Sequence, residues 1–395
     1  MKQAVILAGG LGTRLLPITT KTPKPMVDVN GKPFLTYVID DLRERGFSQF
    51  LILTGYLSKE FETYFQNDQS VKCLESDVNF TKGQRLKSAQ EHLDERFLLL
   101  YGDNYVPEKF DTADNENNDV VFTLIEKCPG NVSINTESKK LRYQRARSVD
   151  SNYVELGYMS VHKDPLIKLL VTGLEIEEAL TRISETGKVS YRIVKGPYFS
   201  VSDSARLDIT RDALSRKKII FLDRDGILNA RMPKGDYVKN ISECKFIEQN
   251  IAELKALAMK GFKFIIVSNQ AGVARGMMSE SDLTEINNYI NQHLRQSGIE
   301  VIAFFYCLHG WDESCDCRKP KPGMFLSASK EFNILLRNCV YIGDDIRDEQ
   351  AAIAAGCKSI LVSENFDYEF GQPESRVYSD LKDAIDKILY FYDPE

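Results

Sequence analysis

The chain has 395 residues, of which 43% are hydrophobic and 27% are charged, and its formal net charge is −6. This length exceeds what one ordinary hydrophobic core organises, so two or three domains are expected. The composition is typical of a soluble globular protein, and the acidic balance argues against a general nucleic-acid binder, which is usually basic. Small phosphorylated ligands fit this balance because they need only a local group of cations.

The sequence contains no stretch near the roughly 20 apolar residues that cross a bilayer, so no membrane partner is expected. The first apolar run, Ala4–Leu7, is short and ends at Gly9 and Gly10, which is typical of a buried strand rather than of a signal peptide. The chain has eight cysteines. Without a secretion signal, these predict thiols and metal ligands in a cytoplasmic protein.

Short apolar runs alternate with helix-length segments along most of the chain, which predicts α/β architecture with parallel strands buried on both faces. We expect two domains, each a mainly parallel sheet flanked by helices. The pattern restarts after the basic segment Thr210–Lys218, so the boundary is predicted at Arg216, between domains 1–215 and 217–395. The predicted strands lie in Ala4–Gly10, Phe50–Tyr56, Phe97–Asn104, Lys218–Gly226, Lys263–Gln270 and Cys339–Asp345.

A glycine-rich segment directly follows the first predicted strand. Gly9, Gly10 and Gly12 allow backbone N–H groups to approach phosphate oxygens closely, and cations follow them. A GGxG run by itself is more often an ordinary turn. The whole string LAGGLGTRLLPITTKTPKPM, Leu7–Met26, is far more specific and closely resembles the signature of the sugar-1-phosphate nucleotidyltransferases.

This resemblance implies a set of site residues. Arg14 and Lys24 would act on the reacting phosphates, and Asp103, at the end of a strand, would bind Mg²⁺. Glu155 and Gly157 would contact the sugar. The implied reaction is in-line attack of a sugar 1-phosphate on the α-phosphorus of an NTP, which depends on positioning and charge neutralisation. The nucleotide would be held by Gly9, Gly10, Gly12 and Thr13.

Several positions depart from the pattern of that family. Ser200 stands where a second metal-binding aspartate is usual, although Asp203 follows closely. Arg145 replaces a lysine near the sugar phosphate and keeps the charge with a different geometry. The base-recognition segment Phe80–Ala89 is also atypical. The first domain is therefore either a working transferase or a degenerate module that only binds sugar nucleotides.

The second half contains an Asp-x-Asp motif at the end of an apolar run. Two carboxylates at the spacing of Asp223 and Asp225 can share a divalent cation while one attacks phosphorus and the other protonates the leaving oxygen. By itself the motif is weak, because it also occurs in turns and calcium loops.

Three further motifs follow in order. Ser268 offers a hydroxyl to phosphate, Lys319 offers a positive charge, and Asp344 and Asp348 offer carboxylates. The ordered set resembles the haloacid dehalogenase superfamily over residues 217–365. This resemblance implies catalysis by Asp223, Asp225, Ser268 and Lys319, with Mg²⁺ held by Asp223, Asp225, Asp344 and Asp348.

The loop before Lys319 contains Cys307, His309, Cys315 and Cys317. Three thiolates and one imidazole favour a closed tetrahedral zinc site with a structural role. The alternative, a disulfide, is poor because only one residue separates Cys315 from Cys317. We expect zinc to brace the loop that carries Arg318 and Lys319, and Trp311 to pack within that loop.

This loop and the segments Asn269–Gly276 and Cys315–Met324 resemble the D-glycero-D-manno-heptose 1,7-bisphosphate phosphatases, although histidinol phosphatases have a similar loop. Asp345 stands where some relatives have lysine. The resemblance implies that substrate contacts come from Asn269, Arg275 and Arg318.

The two halves together predict a bifunctional enzyme that makes a nucleotide-activated heptose. The phosphatase would remove the 7-phosphate, and the first domain, resembling heptose 1-phosphate guanylyltransferases, would use an NTP, with GTP as the expected donor. The expected cofactors are Mg²⁺ and structural Zn²⁺. Two alternatives remain: an active phosphatase beside an inactive binding module, which Ser200 favours, and a histidinol-phosphate phosphatase, which leaves the first domain without a purpose.

Overall fold

The computed structural model of the chain divides into two compact units, Met1–Leu214 and Ser215–Glu395. The predicted boundary residue, Arg216, lies outside the described residues. No helix in the described part of the chain is long and apolar enough to span a membrane. The structure describes residues 2–108, 117–135, 140–185, 188–215, 217–369 and 371–393.

The first unit combines strands and helices as the alternating pattern predicts. Its strands are β1 (Lys2–Leu7), β2 (Asp28–Val29), β3 (Lys32–Pro33), β4 (Phe47–Thr54), β5 (Val71–Glu75), β6 (Arg96–Tyr101), β7 (Asn104–Tyr105), β8 (Val120–Glu126), β9 (Gly130–Ile134), β10 (Leu141–Ser148), β11 (Tyr153–His162), β12 (Val189–Val194) and β13 (Phe199–Ser200). Its α-helices are α1 (Phe34–Glu44), α2 (Ser58–Phe65), α3 (Lys82–Ser88), α4 (Lys163–Val171), α5 (Ile176–Glu185) and α6 (Ser204–Leu214).

The large sheet of the first unit is mixed, whereas the sequence predicted a mainly parallel one. Strands β5, β4, β1 and β6 run parallel, but β11 pairs antiparallel with β6, β8 and β9. The described connections from β8 to β11 contain no helix. Strands joined by short connections pair antiparallel, because a parallel crossover needs about a dozen residues. The α/β class is confirmed, and the departure is confined to this half of the sheet.

The parallel part of this sheet positions the first site. Strands β1 and β6 are neighbours, with Leu7 opposite Tyr101. The glycine loop that follows β1 and Asp103, which follows β6, therefore emerge at the same edge of the sheet. The carboxyl ends of parallel strands are where such sheets bind ligands.

The second unit has a simpler order. Its strands are β14 (Ile219–Leu222), β15 (Lys263–Asn269), β16 (Val301–Cys307), β17 (Val340–Gly343), β18 (Lys358–Val362) and β19 (Val377–Tyr378). Its α-helices are α7 (Glu248–Met259), α8 (Glu280–Gln296), α9 (Gly323–Phe332), α10 (Ile346–Ala355) and α11 (Ile385–Tyr392).

All pairs in the second sheet are parallel, in the order β16-β15-β14-β17-β18-β19. The central strand β14 is buried on both faces: Ile220 and Leu222 belong to one hydrophobic core, and Ile219 and Phe221 to another. Burial on both faces explains why the strand reads as a continuous apolar run. The mainly parallel sheet predicted for this unit is confirmed.

Candidate active sites

A cavity of about 780 Å³ lies at the carboxyl ends of β14, β15 and β17 in the second unit. Its size is within the usual range for a small-molecule site. Most of the predicted residues line it, because the strands that carry them are neighbours in the sheet. These are Asp223, Asp225, Ser268, Asn269, Arg318, Lys319, Asp344 and Asp348.

Three buried carboxylates meet in this cavity. Ligand atoms of Asp223, Asp344 and Asp348 all lie within 4.8 Å of one another. Burial raises the pKa of Asp223 to about 7. Burial, and next the repulsion from Asp348 and Asp223, raise the pKa of Asp344 well above its ordinary value. A divalent cation with a preference for oxygen ligands would relieve this repulsion, so the donor set fits Mg²⁺.

Lys319 is the cation at the centre of these carboxylates. Its side chain is 3% exposed, and its Nζ lies 3.0 Å from Asp223 Oδ1 and 2.7 Å from Asp348 Oδ1. Nζ also donates to Val267 O at 3.1 Å and Tyr341 Oη at 2.7 Å. Burial alone would lower the pKa of Lys319, but the two carboxylates raise it. The ammonium is therefore fixed beside the atom that is expected to attack.

Asp225 does not join the carboxylate group, which corrects its prediction as a metal ligand through its side chain. Its carboxylate accepts from Asn229 Nδ2 at 2.8 Å, Gln270 Nε2 at 2.8 Å and Arg224 Nη2 at 3.0 Å. Burial would raise the pKa of Asp225, but the guanidinium of Arg224 and these hydrogen bonds hold it below its ordinary value. Two carboxylates that are separated by one residue in the sequence thus have opposite electrostatic environments.

Asn269, at the end of β15, is hydrogen-bonded to the loop that carries Lys319. Asn269 Nδ2 donates to Lys319 O at 3.1 Å, and Lys319 N donates to Asn269 Oδ1 at 3.0 Å. Gln270 Nε2 donates to Ser268 Oγ at 2.8 Å, which orients the hydroxyl. Asn269 therefore positions Lys319 as well as lining the cavity, a role that sequence spacing did not indicate.

Asp345 has a structural role. It is the N-cap of α10, accepting from Arg347 N at 2.9 Å. Its carboxylate also pairs with Arg231 at 2.9 Å and Arg347 at 2.8 Å. Burial opposes ionisation, but these arginine contacts lower the pKa of Asp345. The charge that replaces lysine here is thus neutralised locally.

The four predicted metal ligands of the loop come together beside β16. Cys307 Sγ lies 3.7 Å from Cys315 Sγ and 3.4 Å from His309 Nδ1, and Cys317 Sγ lies 3.2 Å from His309 Nδ1. A tetrahedron with Zn–S bonds of 2.3 Å has edges of about 3.8 Å between sulfur atoms. Burial and then the neighbouring sulfur atoms raise the pKa of Cys317 to about 12. The donor set and its spacing therefore fit one tetrahedral cation.

Two residues near the mouth of this cavity differ from expectation. Arg275 does not line the cavity. Its guanidinium lies 4.4 Å from the ring centroid of Trp311 and donates to Gly235 O at 2.7 Å. Trp311 was expected to pack within the loop, yet it is 60% exposed and lines the cavity. Tertiary packing placed the arginine behind the indole, which no local pattern in the sequence signals.

The first unit contains a separate cavity of about 690 Å³ at the carboxyl ends of β1 and β6. The glycine loop, cations and carboxylates converge there. The predicted residues that line it are Gly9, Gly10, Gly12, Thr13, Arg14, Lys24, Asp103 and Glu155.

Asp103 forms an ion pair with Lys24 Nζ, and both residues line this cavity. Ser200 lies close to it, because β13 pairs with β7 so that Ser200 is opposite Asn104, and Val201 N donates to Asp103 O at 3.1 Å. The carboxylate of Asp203 accepts from Arg206 N at 2.9 Å, so it caps helix α6. No group of three carboxylate, thiolate or imidazole ligands includes Asp103 among the residues that the structure describes.

Glu155 and Gly157 play different parts. Glu155 lines the cavity, and burial raises its pKa to about 7 although Gly157 N donates to its carboxylate. Gly157 is not among the residues that line the cavity, and its sugar contact stays a prediction. Its φ is +75°, and a Cβ there would lie 2.6 Å from the ring of Tyr101. Only glycine fits this close approach, so Gly157 orients Glu155.

Arg145 is exposed and does not line the cavity, whereas Arg147 does. Arg147, two residues further along the same strand, is therefore the arginine of β10 that lines this cavity. Side chains two residues apart on a strand point to the same face, and the irregular pairing of β10 after Tyr143 decides which of them reaches the site.

Arg85 is a buried cation that sequence reasoning missed, although it lies in the segment that was noted as atypical. Its guanidinium donates to Thr54 O and Ser76 Oγ, and a Cβ on Gly9 would lie 2.2 Å from its Cζ. Burial lowers the pKa of Arg85. Gly9 is therefore required for packing against Arg85 as well as for any phosphate contact.

Comparison with known proteins agrees with this division. Residues 3–113 match the family model described as Nucleotidyl transferase, and residues 218–395 match that described as Polynucleotide kinase 3 phosphatase. The chain thus combines a transferase domain and a phosphatase domain, and these names are used below for the first and second units.

Relatives identify the phosphatase more closely. The D-glycero-β-D-manno-heptose-1,7-bisphosphate 7-phosphatase of Vibrio cholerae is 39% identical over 147 residues, which are 35% of this chain and 77% of that protein. The phosphatase of the same name from Bordetella bronchiseptica is 33% identical over 177 residues, covering 44% of this chain and 98% of the relative. The chain belongs to this heptose bisphosphate phosphatase family.

Two solved structures are similar to parts of the chain. The heptose bisphosphate phosphatase of B. bronchiseptica, complexed with magnesium and phosphate, has 33% identity and a TM-score of 0.40, covering 44% of this chain and 98% of that chain. HddC from Yersinia pseudotuberculosis, complexed with GMP-PN, has 20% identity and a TM-score of 0.46, covering 53% of this chain and 98% of that chain.

Proposed function

We propose that the chain is a bifunctional enzyme of nucleotide-activated heptose synthesis. The phosphatase domain removes the 7-phosphate of D-glycero-D-manno-heptose 1,7-bisphosphate, and the transferase domain joins a nucleotidyl group, from GTP as the expected donor, to the heptose 1-phosphate. The observation that carries the proposal is the buried contact of Asp223 with Lys319 in a domain of the heptose bisphosphate phosphatase family. The names of the relatives favour heptose bisphosphate over histidinol phosphate.

The first half-reaction begins at Asp223. A carboxylate oxygen attacks the phosphorus of the 7-phosphate, a P–O bond to Asp223 forms, and the P–O bond to the sugar breaks. Asp225 delivers a proton to the departing sugar oxygen. Phosphate beside Asp225 raises the pKa of its carboxyl, as a nearby like charge does, which counters the lowering caused by Arg224.

The second half-reaction restores the enzyme. A water molecule attacks the phosphorus of the aspartyl phosphate and gives its proton to Asp225, while the P–O bond to Asp223 breaks and inorganic phosphate leaves. Lys319 Nζ lies 3.0 Å from Asp223 Oδ1. Its charge stabilises the negative charge on the transferring phosphoryl group in both halves.

Two metals complete this proposal. Asp223, Asp344 and Asp348 would hold Mg²⁺, which neutralises phosphate charge and lowers the repulsion among the carboxylates. Cys307, His309, Cys315 and Cys317 would hold Zn²⁺ as a closed structural site. The zinc loop continues directly into Arg318 and Lys319, so the metal would fix the cations of the phosphate pocket.

In the transferase domain, Arg14 and Lys24 would neutralise the triphosphate and Asp103 would bind Mg²⁺. The acceptor's 1-phosphate would attack the α-phosphorus of the NTP, and pyrophosphate would leave. Arg147 replaces Arg145 as the proposed cation near the sugar phosphate. The product of the phosphatase is the acceptor of the transferase, so consecutive reactions explain both domains. We place them in the cytoplasm, whose reducing conditions suit eight cysteines that form no disulfide in the described part of the chain.

The test is to incubate the protein with heptose 1,7-bisphosphate, Mg²⁺ and each NTP in turn, and to follow phosphate and pyrophosphate separately. We expect phosphate without any NTP, and pyrophosphate only with the correct NTP and only after phosphate has appeared. Phosphate release without pyrophosphate for every NTP, and with purified heptose 1-phosphate as acceptor, would restrict the proposal to the phosphatase.

A weak metal site in the transferase domain gives the first testable prediction. Ser200 lies beside Asp103, and a hydroxyl binds Mg²⁺ more weakly than a carboxylate. We expect Ser200→Asp to raise transfer severalfold at limiting Mg²⁺, with Ser200→Ala close to the unmodified enzyme. If fast transfer at low Mg²⁺ is instead lost in Asp203→Asn, Asp203 rather than position 200 completes the site.

The pKa of Glu155 gives a prediction for pH. Burial raises it to about 7, so the carboxylate that accepts hydrogen bonds from sugar hydroxyls forms mainly above neutral pH. We expect the KM for the sugar 1-phosphate to fall by about tenfold from pH 6 to pH 8, as the ionised fraction rises. Glu155→Gln should show only the shallower dependence caused by titration of the substrate. If Glu155→Gln shows the same pH dependence of KM as the unmodified enzyme, Glu155 does not bind the sugar hydroxyls through its carboxylate.

A further inference from the structure

The phosphatase cavity has an aromatic residue at its mouth that the reaction described above does not use. Trp311 lines the cavity and is 60% exposed. A single exposed apolar side chain is common and needs no explanation by itself. Trp311 is different because three neighbours hold it in one position beside a site for a phosphorylated ligand.

The first of these neighbours covers one face of the indole. The guanidinium of Arg275 lies 4.4 Å from the Trp311 ring centroid and 5.9 Å from that of Tyr237. Arg275 is fixed in turn by its donation to Gly235 O at 2.7 Å. Since the cation occupies one face, the exposed area of the indole is on the side away from Arg275.

The other two neighbours fix the rotation of the ring. Trp311 Nε1 donates to Tyr237 Oη at 3.2 Å. Tyr237 packs so closely on Gly272 that a Cβ there would lie 3.0 Å from its ring. At the opposite edge, a Cβ on Gly235 would lie 3.9 Å from Trp311 Cη2. The indole is therefore preorganised, and a ligand that stacks on it need not pay for ordering it.

The charges around the cavity indicate which kind of ligand can stack on the Trp311 indole. Three acidic residues outside the buried carboxylate group, Asp236, Glu313 and Asp367, line the same cavity as Trp311. These carboxylates disfavour the long phosphate backbone of a nucleic-acid strand beside the indole, whereas Arg318 and Lys319 of the same lining can neutralise the phosphate of one small substrate. A stacked base of a nucleic-acid strand would bring a phosphate backbone into this region. A single sugar ring can stack its C–H face on the indole without bringing a phosphate backbone near these carboxylates.

We propose that the Trp311 indole, held by Arg275 and Tyr237, is the platform on which the ring of the sugar phosphate stacks, so that Trp311 determines specificity for a ring-bearing substrate. This inference rests on the proposed phosphatase function. Arg275 is then a positioning residue that acts through Trp311, instead of the direct substrate contact that the resemblance implied.

The kinetic test compares two phosphate donors. We expect Trp311→Ala to lower the ratio of kcat/KM for heptose 1,7-bisphosphate to that for acetyl phosphate, which has no ring, by about tenfold, mainly through KM. Trp311→Phe should restore most of the ratio because it keeps a flat ring. Tyr390→Ala is the matched control, since Tyr390 is 62% exposed and does not line the cavity.

The binding test uses the fact that Trp311 is the only tryptophan of the chain. In Asp223→Asn protein, which holds substrate without turnover, heptose 1,7-bisphosphate should change the tryptophan emission, and inorganic phosphate at the same occupancy should not. Equal changes in emission with heptose 1,7-bisphosphate and inorganic phosphate would overturn the proposal that the sugar ring stacks on Trp311. The same holds if the emission does not change while calorimetry detects binding of the sugar bisphosphate.

The two hypotheses fail separately. If the unmodified enzyme shows no preference for the sugar bisphosphate over acetyl phosphate, the proposed substrate is wrong. If that preference exists and Trp311→Ala retains it, only the platform is wrong. A larger emission change with a 3′-phosphorylated oligonucleotide, with faster hydrolysis of it, would assign the indole to a nucleobase.

Discussion

Replacing Asp223 with asparagine should reduce phosphatase turnover by about three orders of magnitude or more, because it replaces the attacking carboxylate with an uncharged amide of the same size. Lys319, with Nζ 3.0 Å from Asp223 Oδ1, stays in place to bind phosphate, so substrate affinity should change far less than kcat. The measurement is phosphate release under single-turnover and steady-state conditions.

Two comparisons make this result specific. Asp367→Asn makes the same chemical change at an exposed position that lines the cavity mouth, and should retain turnover. Pyrophosphate release by the transferase domain, supplied with purified heptose 1-phosphate, should be unaffected by Asp223→Asn. Near-normal phosphatase turnover in the Asp223 variant would remove the basis for an aspartyl-phosphate mechanism.

The second large effect concerns the sulfur-rich loop. Purified protein should contain close to one zinc per chain, and Cys315→Ser should lose it. The loop leads directly into Arg318 and Lys319, and Lys319 is held by Asn269 through two hydrogen bonds. We expect the melting temperature to fall by several degrees and phosphatase activity to fall by about 10- to 100-fold, as for supports of a metal centre.

The control for the zinc prediction is Cys128→Ser, because Cys128 is an exposed free thiol of the transferase domain. It should keep both zinc and phosphatase activity. Metal analysis by mass spectrometry, on protein prepared without chelator, measures the outcome. Protein that contains no zinc and is nevertheless fully active would show that the thiols and His309 support the loop without a metal.

Several features of the molecule follow from the sequence alone. Each lies in a short stretch of chain that imposes its own geometry. The apolar run before Asp223 must be a buried strand, so the carboxylate emerges at the strand's end, where parallel sheets bind ligands. The side chains of Cys307, His309, Cys315 and Cys317 are so close in sequence that one loop brings them together. The glycine loop before Arg14 was recognisable for the same reason.

Tertiary packing decided the remaining features, because they depend on groups that are distant in sequence. Asp223 and Asp225 are separated by one residue. Gln270 and Arg224 nevertheless hold Asp225 apart from the carboxylate group that Asp223 forms with Asp344 and Asp348. No local pattern contains that difference, since burial and charge partners come from other strands.

The same reason explains why three predicted site residues, Arg145, Gly157 and Arg275, do not line the cavities. An irregular strand pairing brings Arg147 rather than Arg145 to the transferase cavity. A positive φ and the contact with Tyr101 make Gly157 a support for Glu155. The position of Arg275 behind Trp311 depends on how two loops pack. The sequence determined which chemical groups the chain carries to each sheet edge, and long-range packing determined which of them line the cavities.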